Sequence, residues 1–279
     1  MKTDKVWFVT GASKGMGLSL VKKLIGEGYR VAATSRESQR LTDAVGHAEG
    51  TQFLPLEVDL TSAESIHQAF ERTVAHFGKV DVLVNNAGYG IGGAVEEINQ
   101  EEIKDSFDIN VMAVIKTMQS AMPYFRQQQS GNIINISSIA GFAPGIGWAM
   151  YAATKYAVTG LSEVMAEDVK EFGVKVTVVA PGAFRTEFLE DSSLVFAKKK
   201  IEGYSAIRAS HEKYAAMNGT QIGNPEILAQ VLIDLVGNPN PPVRLYLGSD
   251  AYSRATEKIH LLAEELESNK QISYSTDFN

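Results

Sequence analysis

Short apolar stretches alternate along the chain with longer stretches in which apolar side chains recur every three or four residues. The short stretches are rich in β-branched residues and do not alternate with polar ones, which is typical of parallel strands covered on both faces. They predict strands at Val6–Val9, Arg30–Ala33, Thr51–Val58, Val80–Asn85, Asn132–Ser137, Val174–Val179 and Val243–Leu247. The periodic stretches predict helices at Leu18–Glu27, Ser62–His76, Glu101–Gln129 (interrupted by Pro123) and Tyr151–Phe172. The repeated β-α-β order predicts an α/β protein with a single doubly wound parallel sheet.

Two regions interrupt this alternation. The segment 186–223 contains several aromatic residues but no strand-like run, and we predict that it forms a lid over the substrate. The alternative is a pair of surface helices. The tail 249–279 contains a predicted helix, Ala251–Glu267, whose apolar face is expected to dock on the domain or on a partner subunit. No linker or repeat divides the chain, so residues 1–279 are expected to form one domain.

Composition narrows the possible chemistry. The 279 residues carry 26 Lys and Arg against 33 Asp and Glu, a net charge of −7, which argues against nucleic acid or an anionic membrane as a partner. The chain has no cysteine and only five histidines, so we expect no thiolate nucleophile and no metal centre. It contains neither a signal-peptide pattern nor a run approaching about 18 apolar residues. We therefore expect a cytoplasmic protein without a membrane span.

A glycine-rich turn follows the first strand. Residues Thr10–Gly17 read Thr-Gly-Ala-Ser-Lys-Gly-Met-Gly and lead into a predicted helix. Glycines permit a tight turn and a close approach of the backbone, and a helix N-terminus offers N–H groups to a pyrophosphate. The spacing G-x-x-x-G-x-G is a variant of the common dinucleotide-binding pattern. The expected cofactor contacts are Gly11, Ser13, Lys14, Gly15, Met16 and Gly17.

The end of the second strand bears on the choice of dinucleotide. Sites that prefer NAD place an acidic residue there, whereas this chain has Ser35 followed by Arg36. A guanidinium makes charge-assisted bonds to a 2′-phosphate, and Lys14 could reach the same group. We therefore expect NADP(H). The alternative is that both cations are solvated surface groups, and Glu37 would weaken a phosphate site.

Three residues form a candidate catalytic set. Tyr151 and Lys155 are four residues apart at the start of a predicted helix, so their side chains share one face. Ser138 follows the strand Asn132–Ser137, at the edge where doubly wound sheets bind ligands. A nearby ammonium lowers the pKa of a tyrosine, and a serine hydroxyl can polarise a carbonyl oxygen. A tyrosine and a lysine at this spacing are also common on ordinary helices.

Together these features resemble the short-chain dehydrogenases/reductases, in their shorter-subunit branch. The matching motifs are Thr10–Gly17, Asp59, the segment from Asn85 to Gly88, Asn110, Ser138, Tyr151, Lys155 and Pro181-Gly182. The resemblance covers residues 1–185 strongly and the last strand more weakly. It implies a Rossmann fold of about seven strands in the order 3-2-1-4-5-6-7.

The resemblance also implies roles for individual residues. Tyr151 is expected to be the general acid in carbonyl reduction and the base in alcohol oxidation. Lys155 is expected to hold the nicotinamide ribose and to lower the pKa of the tyrosine, and Ser138 to orient the substrate oxygen. Asn110 is expected to lie at a local helix break and to hold a water for a proton relay. Further cofactor contacts are expected at Asp59, Leu60, Asn86, Ala87, Gly88, Pro181, Gly182 and Thr186.

The substrate is less clearly specified by the sequence. Candidate pocket residues, each of which could equally belong to the core, are Tyr89, Val95, Ile139, Phe142, Trp148, Phe184, Phe188 and Leu189. Because most are apolar, we predict a hydrophobic ketone or aldehyde as the small-molecule substrate. Within the family, the Leu247–Ala251 run and the tail are most similar to the group related to 17β-hydroxysteroid dehydrogenases.

The leading hypothesis is an NADPH-dependent carbonyl reductase. One alternative is a 3-oxoacyl-thioester reductase, for which Lys198, Lys199, Lys200 and Arg208 would form a docking patch. Another is a nucleotide-sensing protein without turnover, although such proteins tend to lose the serine, tyrosine and lysine. By analogy with the family we expect a homo-oligomer, a dimer through the helices at 101–129 and 151–172, with a tetramer as the alternative.

Overall fold

The computed structural model describes residues 4–46, 50–190 and 193–278, so parts of the predicted lid and tail lie outside the described residues. The strands are β1 Val6–Val9, β2 Arg30–Ser35, β3 Phe53–Glu57, β4 Val82–Asn85, β5 Gly90–Gly92, β6 Gly131–Ile136, β7 Val174–Pro181, β8 Leu194–Phe196 and β9 Arg244–Leu247. The α-helices are α1 Gly15–Gly26, α2 Ser38–Val45, α3 Ala63–Phe77, α4 Gln100–Phe107, α5 Ala113–Gln128, α6 Ala149–Asp168, α7 Ser205–Ala216, α8 Pro225–Gly237, α9 Ser249–Ser268 and α10 Lys270–Tyr274.

Seven of these strands form one parallel sheet in the order β3-β2-β1-β4-β6-β7-β9. Counting only these strands gives the order 3-2-1-4-5-6-7, so the expected doubly wound Rossmann fold and all seven sequence-predicted strands are confirmed. Phe8 in the middle of β1 pairs with Ala32 on one side and Leu83 on the other. The strand order reverses at β1 and β4, which opens a crevice at the carboxyl edge.

Apolar side chains of the sheet serve two cores, one on each face. On one face Trp7 and Val9 pack with the helices α1 and α8. On the other face Phe8 stacks on Phe70 of α3, with ring centroids 4.1 Å apart. Because neighbouring residues of β1 are buried on opposite faces, the strand is continuously apolar, as the sequence pattern indicated.

The helix predicted over 101–129 differs in where it is interrupted. It divides into α4 and α5 at a wider, π-helical turn, Asp108–Met112, whereas Pro123 lies inside α5 without ending it. The local helix break expected at Asn110 is therefore present, whereas the predicted interruption of the helix at Pro123 is wrong. Ala121 and Phe125 on either side of the proline are fully buried, so packing holds the helix together there. The structure also contains α2 and α8, which the sequence analysis did not predict.

The segment predicted as a lid contains both a strand and a helix. Its strand β8 pairs in parallel with β5, so the expectation of no strand in 186–223 is wrong. A strand of three residues, Leu194–Phe196, is too short to show a periodic pattern. Helix α7 follows and buries His211, although most of its surface is exposed.

The tail helix α9 docks on the body only at its beginning. Ala251 and Ala255 are buried beside Ile139 and Ala143. Farther along, apolar side chains face outward, and Leu266 is 73% exposed. Docking on the domain is thus confined to the first turns of the helix. Within the described ranges, none of the helices combines the length and the apolar character needed to cross a bilayer.

A buried polar network crosses the sheet between the two central strands. Asn85 of β4 donates to the Oδ1 of Asn135 of β6 at 2.8 Å, and Asn135 donates to the Ser162 hydroxyl at 2.9 Å. The Thr117 hydroxyl of α5 donates to the Oδ1 of Asn85 at 2.6 Å. The network joins both strands to α5 and α6, and each amide in it depends on these partners because it is buried.

We expect the substitution Thr117→Val to destabilise the protein by about 1–3 kcal/mol, since it leaves the buried Oδ1 of Asn85 without its donor. Urea unfolding measures the change. Thr73→Val is the matched control, because Thr73 is equally buried on α3 but its hydroxyl bonds only to Ala69 of its own helix. Equal destabilisation by both variants would show that the link to Asn85 contributes nothing.

Candidate active site

The glycine-rich turn between β1 and α1 is shaped to bind an anion. Gly11 and Gly15 adopt φ of +65° and +59°, which glycine accepts without strain. A Cβ at Gly11 would lie 2.7 Å from the Cα of Ala87, so only glycine allows this approach. Helix α1 begins at Gly15 with no acidic residue in its first turn, and its N-cap residue, Lys14, has a side chain that can only donate. The turn therefore suits a dinucleotide pyrophosphate.

The side chain of Asn86 holds this turn in place. Its Nδ2 donates to the carbonyls of Thr10 and Gly11 at 3.0 and 2.9 Å. The Thr10 hydroxyl in turn accepts from the backbone N–H groups of Asn86 and Ala87. A Cβ at Gly17 would lie 2.4 Å from the Nδ2 of Asn86, so the last glycine of the motif makes room for this contact. Ser13 and Met16 lie in the same turn, half-buried.

A lid carboxylate already contacts the turn. The backbone N–H of Gly15 donates to Oε2 of Glu187 at 3.1 Å. Thr186, predicted as a cofactor contact, lies beside it, with its Cβ 3.5 Å from the position of a Cβ on Gly15. Sequence reasoning missed Glu187, whose proximity depends on the path of the lid. An anion bound by this N–H is direct support for the anion-binding character of the turn.

Three cations gather at the end of β2. Burial lowers the pKa of Lys14, and the positive charge of Arg40 lowers it further, with a smaller effect from Arg36. Glu190 and Glu187 of the lid act in the opposite direction. Arg40 was not predicted; α2 begins at Ser38, after Arg36, so helical spacing from Arg36 could not have identified it. Ser35, at the end of β2, is half-buried.

Asp59 shapes the turn after β3. Its Oδ1 accepts from the backbone N–H and the hydroxyl of Thr61 at 2.8 and 2.7 Å, and these hydrogen bonds lower the pKa of Asp59. The next residue, Leu60, packs against the core below α3. The carboxylate is exposed at the carboxyl edge of the sheet, where a cofactor contact was expected.

Tyr151, Lys155 and Ser138 come together at the end of β6. The hydroxyls of Ser138 and Tyr151 are hydrogen-bonded to each other. The Nζ of Lys155 is 5.8 Å from the centroid of the Tyr151 ring and donates to the Ile136 carbonyl at 3.0 Å. Ser138 also accepts from the backbone N–H of Ala140, which fixes its side chain at the start of a short 3₁₀ turn.

Burial governs the protonation of this set. Burial raises the pKa of Tyr151 to about 12, and the hydrogen bond with Ser138 acts in the opposite direction. Burial likewise lowers the pKa of Lys155 to about 8. The expected lowering of the tyrosine pKa by Lys155 is not found, because the ammonium bonds to the Ile136 carbonyl and does not touch the phenol oxygen. At neutral pH the phenol is therefore fully protonated.

Asn110 occupies the π-helical turn Asp108–Met112 and is fully buried. Its Oδ1 accepts from the backbone N–H of Tyr89 at 3.0 Å, and its Nδ2 donates to the Tyr89 carbonyl at 2.9 Å. The same Nδ2 lies 3.2 Å from the hydroxyl of Thr154 on α6. A Cβ at Gly88 would lie 2.9 Å from this Oδ1, so Gly88 and Asn110 meet beside the lysine.

The segment after β7 is anchored by the first turn of α9. The backbone N–H of Ala183 donates to Asp250 at 2.8 Å, and a Cβ at Gly182 would lie 2.2 Å from the same carboxylate. The N–H of Gly182 donates to the carbonyl of Leu247, which extends the pairing of β7 and β9. Asp250 therefore positions the Pro181-Gly182 segment, a role that sequence reasoning did not assign.

The predicted pocket residues fall into different environments. Phe188 lies beside Tyr151, with ring centroids 6.1 Å apart, and Tyr89 is half-buried next to the amide of Asn110. Trp148 is buried, in ring contact with Phe196, His211 and Tyr214 of the segment predicted as a lid. The remaining predicted pocket residues pack elsewhere or lie on the surface: Ile139 and Phe142 under α9, Phe184 against the core around α1, Leu189 half-buried in a 3₁₀ turn, and Val95 exposed.

The segment predicted as a lid is held to the rest of the domain by Glu97, whose carboxylate is fully buried. It accepts from the backbone N–H groups of Ile201 and Ala94 at 2.7 and 2.9 Å and pairs with Arg208 of α7. The hydrogen bond from Ile201, with the other contacts, lowers the pKa of Glu97 to about 2. Because Arg208 is engaged in this pair, only Lys198, Lys199 and Lys200 of the hypothetical docking patch are left exposed.

Acidic residues and histidines do not form a group of metal ligands anywhere in residues 4–46, 50–190 and 193–278. The site instead combines a protonated phenol, a serine hydroxyl, a buried lysine and an anion-binding turn. This set can bind a dinucleotide and exchange a proton with a substrate oxygen.

Comparison with known proteins supports this interpretation. A family model described as short chain dehydrogenase matches residues 5–194. The oxidoreductase BOA17 of Botryotinia fuckeliana is 33% identical over 273 residues, which are 98% of this chain and 99% of that protein. A 3-ketodihydrosphingosine reductase of Bacteroides thetaiotaomicron is 34% identical and covers 88% of each chain. A solved short-chain dehydrogenase from Streptomyces avermitilis is 34% identical, has a TM-score of 0.91 and covers 98% of this chain and 99% of its own.

We expect Glu97→Gln to release the lid at neutral pH, because the amide cannot compensate the charge of Arg208. In the wild type the carboxylate, with a pKa lowered from 4.5 to about 2, stabilises the closed lid above about pH 4.5, and this stabilisation is lost as the pH falls toward 2. Hydrogen exchange of residues 197–216 at pH 7 and Trp148 fluorescence between pH 6 and pH 3 measure the two effects.

The neighbouring Glu96→Gln variant is the control. Glu96 is exposed and contacts the lid only through the Tyr204 hydroxyl. Its exchange pattern is expected to match the wild type. Identical exchange in the Glu97 and Glu96 variants would contradict a lid anchored at Glu97.

Proposed function

This chain is an oxidoreductase of the short-chain dehydrogenase family, and from that premise we propose that it reduces a hydrophobic ketone or aldehyde to an alcohol with NADPH. The observation that carries the proposal is the Tyr151 phenol, hydrogen-bonded to Ser138 and lying between Lys155 and the lid residue Phe188. A protonated donor and a second hydroxyl thus face one apolar, aromatic wall at the ligand-binding edge of the sheet.

The protonation states favour reduction. Tyr151, with a pKa raised to about 12, is protonated at neutral pH and is ready to give its proton to a developing alkoxide. Ser138 holds the same oxygen by its hydroxyl and stabilises the charge as it forms. Burial lowers the pKa of Lys155 to about 8, but its ammonium is held by the Ile136 carbonyl, so the proton that leaves the phenol would have to return through a relay and not directly from the lysine. Asn110 positions Gly88, which lies beside the Nζ of Lys155, and with it the start of the loop after β4.

The residues at the carboxyl edge fit a nicotinamide dinucleotide. The glycine-rich turn and the N-terminus of α1 would hold its pyrophosphate, and the segment Pro181–Thr186 its nicotinamide end. When bound, the reduced nicotinamide supplies the hydride that the carbonyl carbon receives. Lys14, Arg36 and Arg40 supply the positive charge that a 2′-phosphate requires, and this cluster is the reason to propose NADPH over NADH.

The aromatic and apolar side chains near Tyr151 favour a hydrophobic substrate. Phe188 contacts the catalytic ring, and the lid adds Phe196 and Tyr214 around Trp148. The relative named as a 3-ketodihydrosphingosine reductase supports a ketone. A carrier-bound thioester is less favoured because Arg208 is already paired with Glu97.

A dimer through the helices α5 and α6 accords with their exposed apolar residues, among them Met112 just before α5 and Val164 of α6. Burial of such side chains is the usual driving force for association. The outward-facing stripe of α9 would serve a second interface, so the tetramer remains the alternative.

We expect Tyr151→Phe to bind NADPH normally and to lose nearly all turnover, since the proton donor is removed while the ring remains. Tyr156→Phe is the control, because Tyr156 lies on the same helix and its exposed hydroxyl donates only to the Phe142 carbonyl. NADPH fluorescence titration and NADPH oxidation with a ketone give the two readouts. Near-normal turnover of Tyr151→Phe would remove Tyr151 from the mechanism.

We expect Arg36→Ala and Arg40→Ala each to weaken NADPH binding by at least about ten-fold and to leave NADH binding almost unchanged, given about 1.5–3 kcal/mol for a charged hydrogen bond. Arg72→Ala, an exposed arginine on α3, is the matched control and should change neither. Titration with both cofactors at one salt concentration measures the ratio. If the two arginine variants weaken the binding of NADPH and of NADH equally, the cluster does not bind a 2′-phosphate.

A further inference from the structure

The carboxylate of Asp250 contacts a segment far from its own helix in sequence. Asp250 lies in the first turn of α9, where an acidic side chain ordinarily stabilises the N-terminus of the helix that carries it. Here its Oδ2 accepts a hydrogen bond from the backbone N–H of Ala183 at 2.8 Å, in the segment that follows β7. The side chain therefore connects the start of the tail to the carboxyl edge of the sheet.

Two glycines leave the space that this carboxylate occupies. A Cβ at Gly182 would lie 2.2 Å from Oδ1 and 2.3 Å from Oδ2 of Asp250, and a Cβ at Gly248 would lie 2.6 Å from Oδ1. The φ of Gly182 is not positive, so a glycine is required there for space and not for backbone conformation. Beyond its neighbours in the chain, the three heavy atoms nearest to this Cβ position all belong to Asp250. The carboxylate thus accounts for a glycine that the sequence predicted as a cofactor contact.

The backbone of Ala183 is fixed through both of its polar groups. Its N–H is held by Asp250, and its carbonyl accepts from the N–H of Gly223 at 3.0 Å, in the connection between α7 and α8. One residue earlier, the N–H of Gly182 donates to the Leu247 carbonyl at 2.8 Å, where the pairing of β7 with β9 ends. Asp250 therefore supplies the acceptor for the first N–H beyond the sheet.

The order of this segment matters for ligand binding at the carboxyl edge. Residues 181–186 would hold the nicotinamide end of the cofactor, and Thr186 at their far end lies beside Gly15 of the glycine-rich turn. A segment that is ordered before binding gives a higher affinity than one that the ligand has to order, because the conformational entropy has already been lost. Without Asp250, part of the binding free energy of the nicotinamide end would be spent on ordering the segment.

We propose that Asp250 is a positioning residue that orders residues 181–183 for the nicotinamide end of the cofactor, and that Gly182 leaves the space for its carboxylate. This role rests on the proposed binding of a nicotinamide dinucleotide and adds a residue of the tail to that site. Asp250 acts through the backbone of Ala183 and is not a catalytic residue. A ligand that lacks the nicotinamide end should therefore bind equally well with or without this carboxylate.

The test compares NADPH with adenosine 2′,5′-bisphosphate, a fragment that keeps the adenosine and the 2′-phosphate but lacks the nicotinamide end. We expect Asp250→Ala to weaken NADPH binding by at least about ten-fold, the effect of one hydrogen bond to a charged group, and to leave binding of the fragment unchanged. Calorimetry measures both dissociation constants. Asp250→Asn should recover most of the affinity for NADPH, since its amide oxygen can still accept from the N–H of Ala183.

Arg254→Ala is the matched control for the docking of α9. Arg254 lies one turn after Asp250 and donates to the Ala143 carbonyl, so it attaches the same helix to a different segment. This variant should bind NADPH and the fragment as the wild type does. Hydrogen exchange of the Ala183 amide in the protein without cofactor gives a second readout. Exchange should become faster in Asp250→Ala and remain as slow as in the wild type in Arg254→Ala.

A double-mutant cycle tests the role of Gly182. Gly182→Ala alone should weaken NADPH binding by at least about five-fold, the lower end of the cost of overpacking, because the new Cβ displaces the carboxylate or the segment. In the Asp250→Ala background the same substitution should add less than about two-fold, since the atoms with which the Cβ collides have been removed. An equal loss in both backgrounds would show that Gly182 does not serve the carboxylate.

The outcomes separate the positioning role from the proposed function. Weaker binding of NADPH but not of the fragment in Asp250→Ala supports the role even if no ketone is reduced, a result that would overturn only the proposed reduction. If the wild type prefers NADH, the same comparison is made between NADH and AMP. Equal weakening of dinucleotide and fragment overturns the role, as does unchanged dinucleotide binding in Asp250→Ala. A wild type that binds neither dinucleotide would overturn both proposals.

Discussion

The geometry of the active site depends on one buried amide, the side chain of Asn110. It pairs with both the N–H and the carbonyl of Tyr89 and reaches the Thr154 hydroxyl, so it joins the loop after β4 to the helix that carries Tyr151 and Lys155. A fully buried amide without hydrogen-bond partners would lower the free energy of unfolding by more than most single interactions contribute to it. The wider turn at Asp108–Met112 is the local adjustment that lets this side chain point inward.

The lid and the cofactor turn are linked by charge as well as by position. The carboxylate of Glu187 occupies the N–H of Gly15, and Glu187 and Glu190 both act on Lys14. An anion that binds at this N–H therefore competes with the lid carboxylate. Because linked equilibria are reciprocal, an anion bound at this N–H would weaken the Glu187 contact as much as that contact weakens binding of the anion. Farther along the same segment, Glu97 holds α7 through Arg208 and the N–H of Ile201.

The main sheet could be predicted because its strands are short, β-branched and buried on both faces, as β1 is, and the motif residues follow strand ends. The features that the sequence did not predict depend on contacts between residues that are distant in sequence. The strand β8 has only three residues and exists through its pairing with Gly90–Gly92. Ile139 and Phe142 follow a strand end, yet they pack under α9, since spacing alone does not tell which way an apolar side chain turns. Arg40 and Tyr214 reach the site through the fold of α2 and the lid.

The protonation of Tyr151 connects burial to the direction of the reaction. Alcohol oxidation needs the phenolate, and each unit by which the tyrosine pKa of about 12 exceeds the ambient pH adds about 1.4 kcal/mol to its formation. Carbonyl reduction begins from the phenol, which the buried site already favours. The ammonium of Lys155 could lower the pKa of Tyr151 only by approaching the phenol oxygen. It is instead held by the Ile136 carbonyl. The desolvation that raises the pKa of Tyr151 therefore makes this residue a proton donor first.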